Sequence, residues 1–282
     1  MDYFNENVIF LQKNLDAEFT IKENVAFFRL AGESNMENYC APDAYVFIIF
    51  EKCSGTHIID FIKYEEKDLQ IHVSYPRQIH SWNTNKDAKG YKLIISKKFV
   101  EKFLFDTIFI YSKVNSCPVI DISPQILMKL KTDLQKLEEE LLENEIDWKT
   151  ITFRTQLIIY RINKLIVEIE ESKEKKLPLF LRKFYEEIDI HFMNNHSVAF
   201  YADKIGITPN YLSMLCREYI GVKPKKVIDS HILLEAKRLL LGSDFTIKEI
   251  GYKLGFSNIT QFSKFIRSKT GISARELREN IY

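Results

Sequence analysis

Two sets of four side chains recur at helical spacing near the end of the sequence. They are Asn210, Ser213, Met214 and Arg217, and Thr260, Ser263, Lys264 and Arg267. Each set occupies positions i, i+3, i+4 and i+7, so each runs along one side of a helix. Arginine can pair with guanine and asparagine with adenine, while lysine, serine and threonine can serve base edges or phosphates. The opposite sides are apolar: Leu212, Leu215 and Tyr219 in one case, Phe262, Phe265 and Ile266 in the other. Helices of this kind would pack inward and meet nucleic acid outward. For any one of the eight, a solvated or phosphate-contacting role stands beside a base-reading one.

The elements that must position these side chains form a repeat. "ADKIGI" (202–207) aligns with "GYKLGF" (251–256), and "LSMLCREYIGV" (212–222) with "FSKFIRSKTGI" (262–272). The offset is 49 before the turn and 50 after it, so the extra residue falls in the turn, where insertion costs least. Each copy reads as a short helix, a tight turn with glycine, and a second helix ended by glycine, which is the helix-turn-helix plan. Thr208-Pro209 and Ser257-Asn258 begin the second helices, and such starts also offer backbone N–H groups to phosphates. A long helix over about 225–241 joins the copies. Two such units on one connector would reach major-groove segments about 34 Å apart.

The bulk composition agrees with this. The 282 residues are 46% hydrophobic and 28% charged, enough for two folded domains and incompatible with a disordered chain. The net charge of +1 divides unevenly. Residues 177–282 hold 16 Lys and Arg against 11 Asp and Glu, or +5, and the rest hold 24 against 28, or −4. A basic back half fits an anionic partner. No apolar run is long enough to cross a membrane, and "MDYFNENVIF" lacks the basic start of an export signal, so a cytoplasmic location is expected. Cys40, Cys53, Cys117 and Cys216 lack zinc-type spacing and read as reduced, buried thiols.

The front of the chain reads as strands: "NVAFFRL", "AYVFIIFEK", "THIIDFIKY", "DLQIHVSY" and "YKLIISKKF". At Ser123-Pro124 the period turns helical, with Ser123 as cap. Leu127, Leu130, Leu134, Leu137 and Leu141 form a two-heptad seam, for pairing with a second copy or for packing on the barrel or the next helix, expected over about 150–171. The charged run "ESKEKKLP" (171–178) reads as a linker. The expected division is a β-barrel over 1–122, helices over 123–171, a linker over 172–178 and a DNA-binding domain over 179–282.

"ADKIGITPNYLSMLCREYIGVKP" and "TIKEIGYKLGFSNITQFSKFIRSKTGISARELR" resemble the AraC/XylS family of bacterial transcription regulators. The resemblance covers about the last hundred residues. It departs at "SARELR", with Ala274 and Leu277 where Pro and Tyr are common. "YPRQIHSW" (75–82) resembles the "PGQxHxW" turn of the cupin-type sensor domain found in this family, with Arg77 in the usual Gly place. The resemblance implies an α+β multidomain fold, in which a cupin-like β-barrel and its following helices precede an all-α domain with two helix-turn-helix units. It implies double-stranded promoter DNA as partner, a small-molecule effector in the barrel, RNA polymerase if the protein is an activator, and a possible homodimer. Tyr45, Phe47, Phe61, Tyr75, His80 and Trp82 are candidates for the effector cavity, with ordinary core packing the alternative for each. His57, His72 and His80 could converge on zinc or could be core and pocket-wall histidines. The absence of an H-x-H argues against a metal-dependent cupin enzyme, so no catalytic residue and no cofactor is expected. The alternatives are a constitutive regulator whose barrel is only a scaffold and a metal-binding cupin enzyme fused to a helical domain.

Overall fold

The structure, a computed structural model, describes residues 19–22, 24–41, 43–103, 118–172 and 177–279. The chain divides into two compact units, Met1–Ser172 and Lys173–Tyr282. Most of the expected linker, and Cys117, lie outside the described residues.

Unit 1 is built on two antiparallel sheets. Strands β1 (Phe19–Lys22), β2 (Val25–Ala31), β4 (Ala44–Lys52), β7 (Gln70–Ser74), β9 (Lys89–Ser96) and β10 (Val119–Asp121) make one, ordered β1-β2-β9-β4-β7-β10. Strands β3 (Ser34–Cys40), β5 (Gly55–Ile59), β6 (Ile62–Glu66) and β8 (Ile79–Thr84) make the other, ordered β3-β8-β5-β6. β4 is buried over most of its length, which explains its unbroken apolar run. Tyr45, Phe47 and Ile49 belong to one core with Val73, Leu93 and the following helices. Val46, Ile48 and Phe50 belong to a second core with Met36, Tyr39 and Trp82 of the smaller sheet. The smaller sheet therefore covers one face of the larger, and helices cover the other.

Two local expectations need correction, and one strand was not foreseen. "THIIDFIKY" is a hairpin rather than one strand, because Asp60 and Phe61 turn the chain with φ of 48° and 71°. The Asp60 carboxylate steadies that turn by accepting from Gln78 Nε2 at 2.6 Å and from the Ile79 N–H at 3.2 Å. "YKLIISKKF" stays a strand only to Ser96, whose Oγ accepts from the Phe99 N–H and starts helix α1 (Lys97–Phe103). The polar stretch "SNMENYC" is β3, paired to β8 across an irregularity between Met36 and Tyr39 where Asn38 has φ of 54°. Arg77, in the place where glycine was expected, adopts φ of 70°.

Helix α2 (Pro124–Leu142) begins as the sequence indicates, with Ser123 Oγ accepting from the Ile126 N–H and Pro124 in the first turn. Leu130, Leu134, Leu137 and Leu141 are buried against the large sheet and helix α3 (Trp148–Glu171), and Leu127 is half-buried there. The leucine seam is thus spent inside unit 1, and the helices expected as a separate region over 123–171 belong to it. Arg29 grips Glu138 through two bonds of 2.7 and 2.6 Å, and Lys131 meets Glu51 at 2.9 Å, fastening α2 to the sheet.

Unit 2 is helical: α4 (Leu179–His191), α5 (Val198–Lys204), α6 (Pro209–Tyr219), α7 (Pro224–Gly242), α8 (Ile247–Lys253), α9 (Ile259–Thr270) and α10 (Ala274–Glu279). The connector α7 runs through its core, burying Ile228, Ile232, Ala236 and Leu240. At about 1.5 Å per residue, its 19 residues span about 28 Å. No helix among the described residues is long and apolar enough to cross a membrane.

Candidate nucleic-acid interface and barrel pocket

The repeat folds as two helix-turn-helix units, α5–α6 and α8–α9. In α6, Thr208 Oγ1 accepts from the Tyr211 N–H at 3.2 Å, with Pro209 in the first turn. In α9, Asn258 Oδ1 accepts from the Gln261 N–H at 2.9 Å, and Gly271 ends the helix at φ of 82°. Helix α8 opens on a capping box between Thr246 and Glu249. The inward faces are Leu212, Leu215 and Cys216 of α6, and Phe262 and Ile266 of α9. Tyr219 and Phe265 are half-buried.

The eight candidate contact residues all lie on the outer faces. Asn210, Met214 and Arg217 are exposed and Ser213 is half-buried, and the four line one surface groove with Glu218. Thr260, Ser263, Lys264 and Arg267 are all exposed. Asn210, Ser213 and Arg217 thus match Thr260, Ser263 and Arg267 as polar groups, while Met214 stands where the second face has Lys264.

The two turns are not built alike. Gly206 and Gly255, at equivalent positions, have φ of 73° and 80°. A Cβ on Gly206 would meet open space, whereas one on Gly255 would lie 2.3 Å from the Met193 carbonyl oxygen. The second turn is pressed against the loop between α4 and α5. His196 of that loop donates from Nε2–H to the Leu254 carbonyl at 2.8 Å, and its own carbonyl accepts from Lys225 Nζ at 3.1 Å. Burial lowers the His196 pKa, so the ring is a neutral donor at pH 7. Asp229 of α7 joins Lys225 at 2.9 Å and Lys269 of α9 at 2.7 Å. Arg278 of α10 donates to the Leu240 and Phe245 carbonyls. These contacts tie the second unit, and the loop that leads into the first, to α7.

In unit 1, a pocket of about 190 Å³ opens beside the smaller core, with Leu30, Ile48, Phe50, Trp82, Ala88 and Lys92 in its wall. Of the six effector candidates, Trp82 lines it. His80 is buried next to Trp82, with ring centroids 5.3 Å apart. Tyr45, Phe47 and Tyr75 pack in the other core with the helices; alternation along β4 turns Tyr45 and Phe47 to that face of the sheet. Phe61 sits in the hairpin turn, half-buried.

The three histidines do come together, as a file rather than a convergent set. Gln70 Nε2 donates to Asp121 Oδ1 at 2.8 Å, and Gln70 Oε1 accepts from the Lys67 N–H at 2.9 Å. That fixes the amide, so His72 donates from Nε2–H to Gln70 Oε1 at 3.1 Å. The direction then runs on. His57 Nδ1–H donates to His72 Nδ1 at 2.9 Å, and His80 Nδ1–H donates to His57 Nε2 at 3.2 Å. His57 spends its two nitrogens on different neighbours, so the rings do not aim at one point. Among the described residues, no His, Cys, Asp or Glu group could hold a metal ion. Burial holds His57 and His80 well below the usual imidazole range and brings His72 down to about 4.

Sequence reasoning did not single out Lys92. It lies on β9 with its side chain fully buried, and its Nζ stands 3.7 Å from the centre of the Trp82 ring. The signal was a lone cation inside "GYKLIIS", a run otherwise apolar on both faces. The described cysteines Cys40, Cys53 and Cys216 are free thiols, and Cys40 is only half-buried.

A family model described as a helix-turn-helix domain matches residues 201–280. The HTH-type transcriptional activator RhaS of Enterobacter sp. (strain 638) is 23% identical over 155 residues, 55% of this chain and 54% of that protein. RhaS of Escherichia coli (strain SMS-3-5 / SECEC) is 22% identical over 161 residues, 56% of each. The chain thus spans about half the length of the curated relatives it matches. Among solved structures, ToxT from Vibrio cholerae overlaps 90% of this chain and 98% of its own at 16% identity, with a TM-score of 0.45. The helix-turn-helix match, the two folded copies and the similarity to RhaS agree with the motifs in residues 202–278 that resemble the AraC/XylS family of transcription regulators.

Proposed function

We propose that the protein is a sequence-specific, DNA-binding transcription regulator whose N-terminal unit senses a small molecule. The observation that carries this reading is the duplicated helix-turn-helix, with equivalent polar positions on the outer faces of α6 and α9 and one buried connector between them. Each helix would enter the major groove and set side chains against base edges, while the N-termini of α6 and α9 would offer N–H groups to phosphates. Double-stranded promoter DNA is the partner, and RNA polymerase a second one if the protein activates. The protein would work in the cytoplasm. A homodimer would need a surface other than the leucine seam, which unit 1 buries. The pocket beside Trp82 supports effector control over a purely scaffolding barrel. An effector would act by favouring one arrangement of the two units.

The test is selection of DNA fragments from a random library by the full chain, followed by affinity measurements on the selected site. Two half-sites about 10 base pairs apart are expected. Arg217→Ala and Arg267→Ala should each weaken binding by roughly 1–3 kcal/mol where the arginine reads a base, with relaxed preference at that position. A phosphate-only role gives a uniform loss and a shallower salt slope. Enrichment of no sequence, or unchanged affinity in both variants, would remove the reading.

A further inference from the structure

The barrel pocket holds a charge problem. Lys92 lines it, is fully buried, and its Nζ has no hydrogen-bond partner among the described residues. What the amine meets is aromatic: the Trp82 face at 3.7 Å and the Tyr39 ring at 5.5 Å. The neighbouring histidines carry no balancing negative charge, since the file that ends at His80 is neutral throughout. Its direction leaves His80 Nε2 as a buried lone pair, also without a partner among the described residues. Burial holds the Lys92 amine well below its ordinary value. An isolated ammonium in such a place costs several kcal/mol, and a leucine or methionine there would not. A lysine with no polar partner among the described residues is explained by something that enters.

The walls limit what that is. Leu30, Ile48, Phe50 and Ala88 offer apolar contact, and about 190 Å³ has room for on the order of ten water-sized groups. Polar wall groups are largely occupied with each other. Ser34 Oγ accepts from Trp82 Nε1–H at 3.2 Å, and Thr84 Oγ1 accepts from the Ser34 N–H at 2.9 Å while donating to the Gly32 carbonyl. Arg29 at the rim is engaged by Glu138, and Glu33 adds a negative charge there. One buried cation and a rim carboxylate fit a monoanion better than a dianion, and a largely apolar body better than a polyhydroxylated one.

We propose that this pocket binds a small organic monocarboxylic acid, its carboxylate paired with Lys92 and its apolar body against Trp82, Phe50, Ile48 and Leu30. The proposal rests on the effector reading above and names its ligand class. On binding, the amine takes up a proton to become the ammonium, which then has the carboxylate as partner and the His80 lone pair close by.

Straight-chain carboxylates from butanoate to octanoate serve as probes, with 1-hexanol as the uncharged match to hexanoate. In the full chain carrying Trp148→Phe, Trp82 fluorescence reports binding. Saturable binding of at least one acid is expected, at least tenfold tighter than hexanol, and lost by at least tenfold in Lys92→Met with hexanol unaffected. Circular dichroism checks that the variant folds. An independent readout needs no change at Lys92: acylation of its amine, followed by mass spectrometry, should slow when the acid is present. No binding by any acid, equal binding of hexanol, undiminished binding in Lys92→Met, or unprotected acylation each overturns the proposal. DNA affinity with and without the acid separates the two claims. Binding at Lys92 with unchanged DNA affinity defeats the sensor reading and leaves the site. A DNA response that survives Lys92→Met defeats the site and leaves the sensor.

Discussion

Gly206 and Gly255 occupy the same position in the two repeats and the same region of φ, yet substitution should separate them. At Gly206, alanine must hold φ of 73° in otherwise open space. The left-handed conformation costs an alanine about 1–2 kcal/mol, and the stiffer unfolded chain returns about 0.4–1, so Gly206→Ala should destabilise unit 2 by about 1 kcal/mol. At Gly255 the same cost applies, and a Cβ would also lie 2.3 Å from the Met193 oxygen and 3.0 Å from its carbonyl carbon. Both are backbone atoms, so the turn must move by about an ångström, with an overpacking cost of about 1–3 kcal/mol. That movement strains the bond from His196 Nε2–H to Leu254, worth about 1 kcal/mol. Gly255→Ala should therefore cost about 3–5 kcal/mol. Hydrogen exchange of peptides within 177–279 reads the stability of unit 2 in the full chain. Values for the two variants that agree within about 0.5 kcal/mol would refute the argument that contact, rather than φ alone, fixes glycine at 255.

Other consequences are open to measurement. A Cβ on Gly251 would sit 3.1 Å from the Phe262 side chain, so Gly251→Ala should destabilise unit 2 by about 1 kcal/mol. The first repeat has Ala202 and Leu212 at these positions, so in a Phe262→Leu background the same change should become neutral or stabilising, read by the same exchange. His72 titrates near 4 when folded and 6.5 when not, so the unfolded chain binds the extra proton between those values. Unit 1 should lose stability as pH falls below about 6.5, with His57 and His80 acting in the same direction, and denaturant titrations from pH 7.5 to 4.5 should show it. Glu66 works the other way: burial lifts its carboxyl to about 7 from 4.5, so the folded state binds more protons and stability declines as pH rises between those values. Glu66→Gln should therefore stabilise unit 1 at pH 8, by up to about 3 kcal/mol, and leave it little changed at pH 4.

How much of this was legible in the sequence follows from where the chain uses local rules. The caps at Thr208 and Ser123, the glycines and the 3.6 period of α6 and α9 are local devices, and they place both helix-turn-helix units and their outer faces. The barrel depends on pairing. β4 is apolar on both sides, so alternation could not say which of Tyr45 and Val46 faces the helices and which the smaller sheet. Four strands offered no usable signal: the polar β3, the three-residue β10, β1, and a β6 hidden by a turn made without glycine. The histidines were visible as residues, but their order in a file depends on the Gln70 amide, held by Asp121 fifty-one positions away. Lys92 was legible only as an oddity until its surroundings were known.

The loop carrying His196 reaches both ends of the machinery in unit 2, touching the second turn through Leu254 and the start of α7 through Lys225. A protein that reads with two fingers can have them joined loosely, so that each finds its own letters, or fused, so that the gap itself becomes part of the word. If the proposed reading holds, these bonds, with Asp229 holding α9, would make the fused kind. One base pair inserted between the two contacted stretches would rotate the second by about a tenth of a turn, and a fused reader would have no slack with which to follow it.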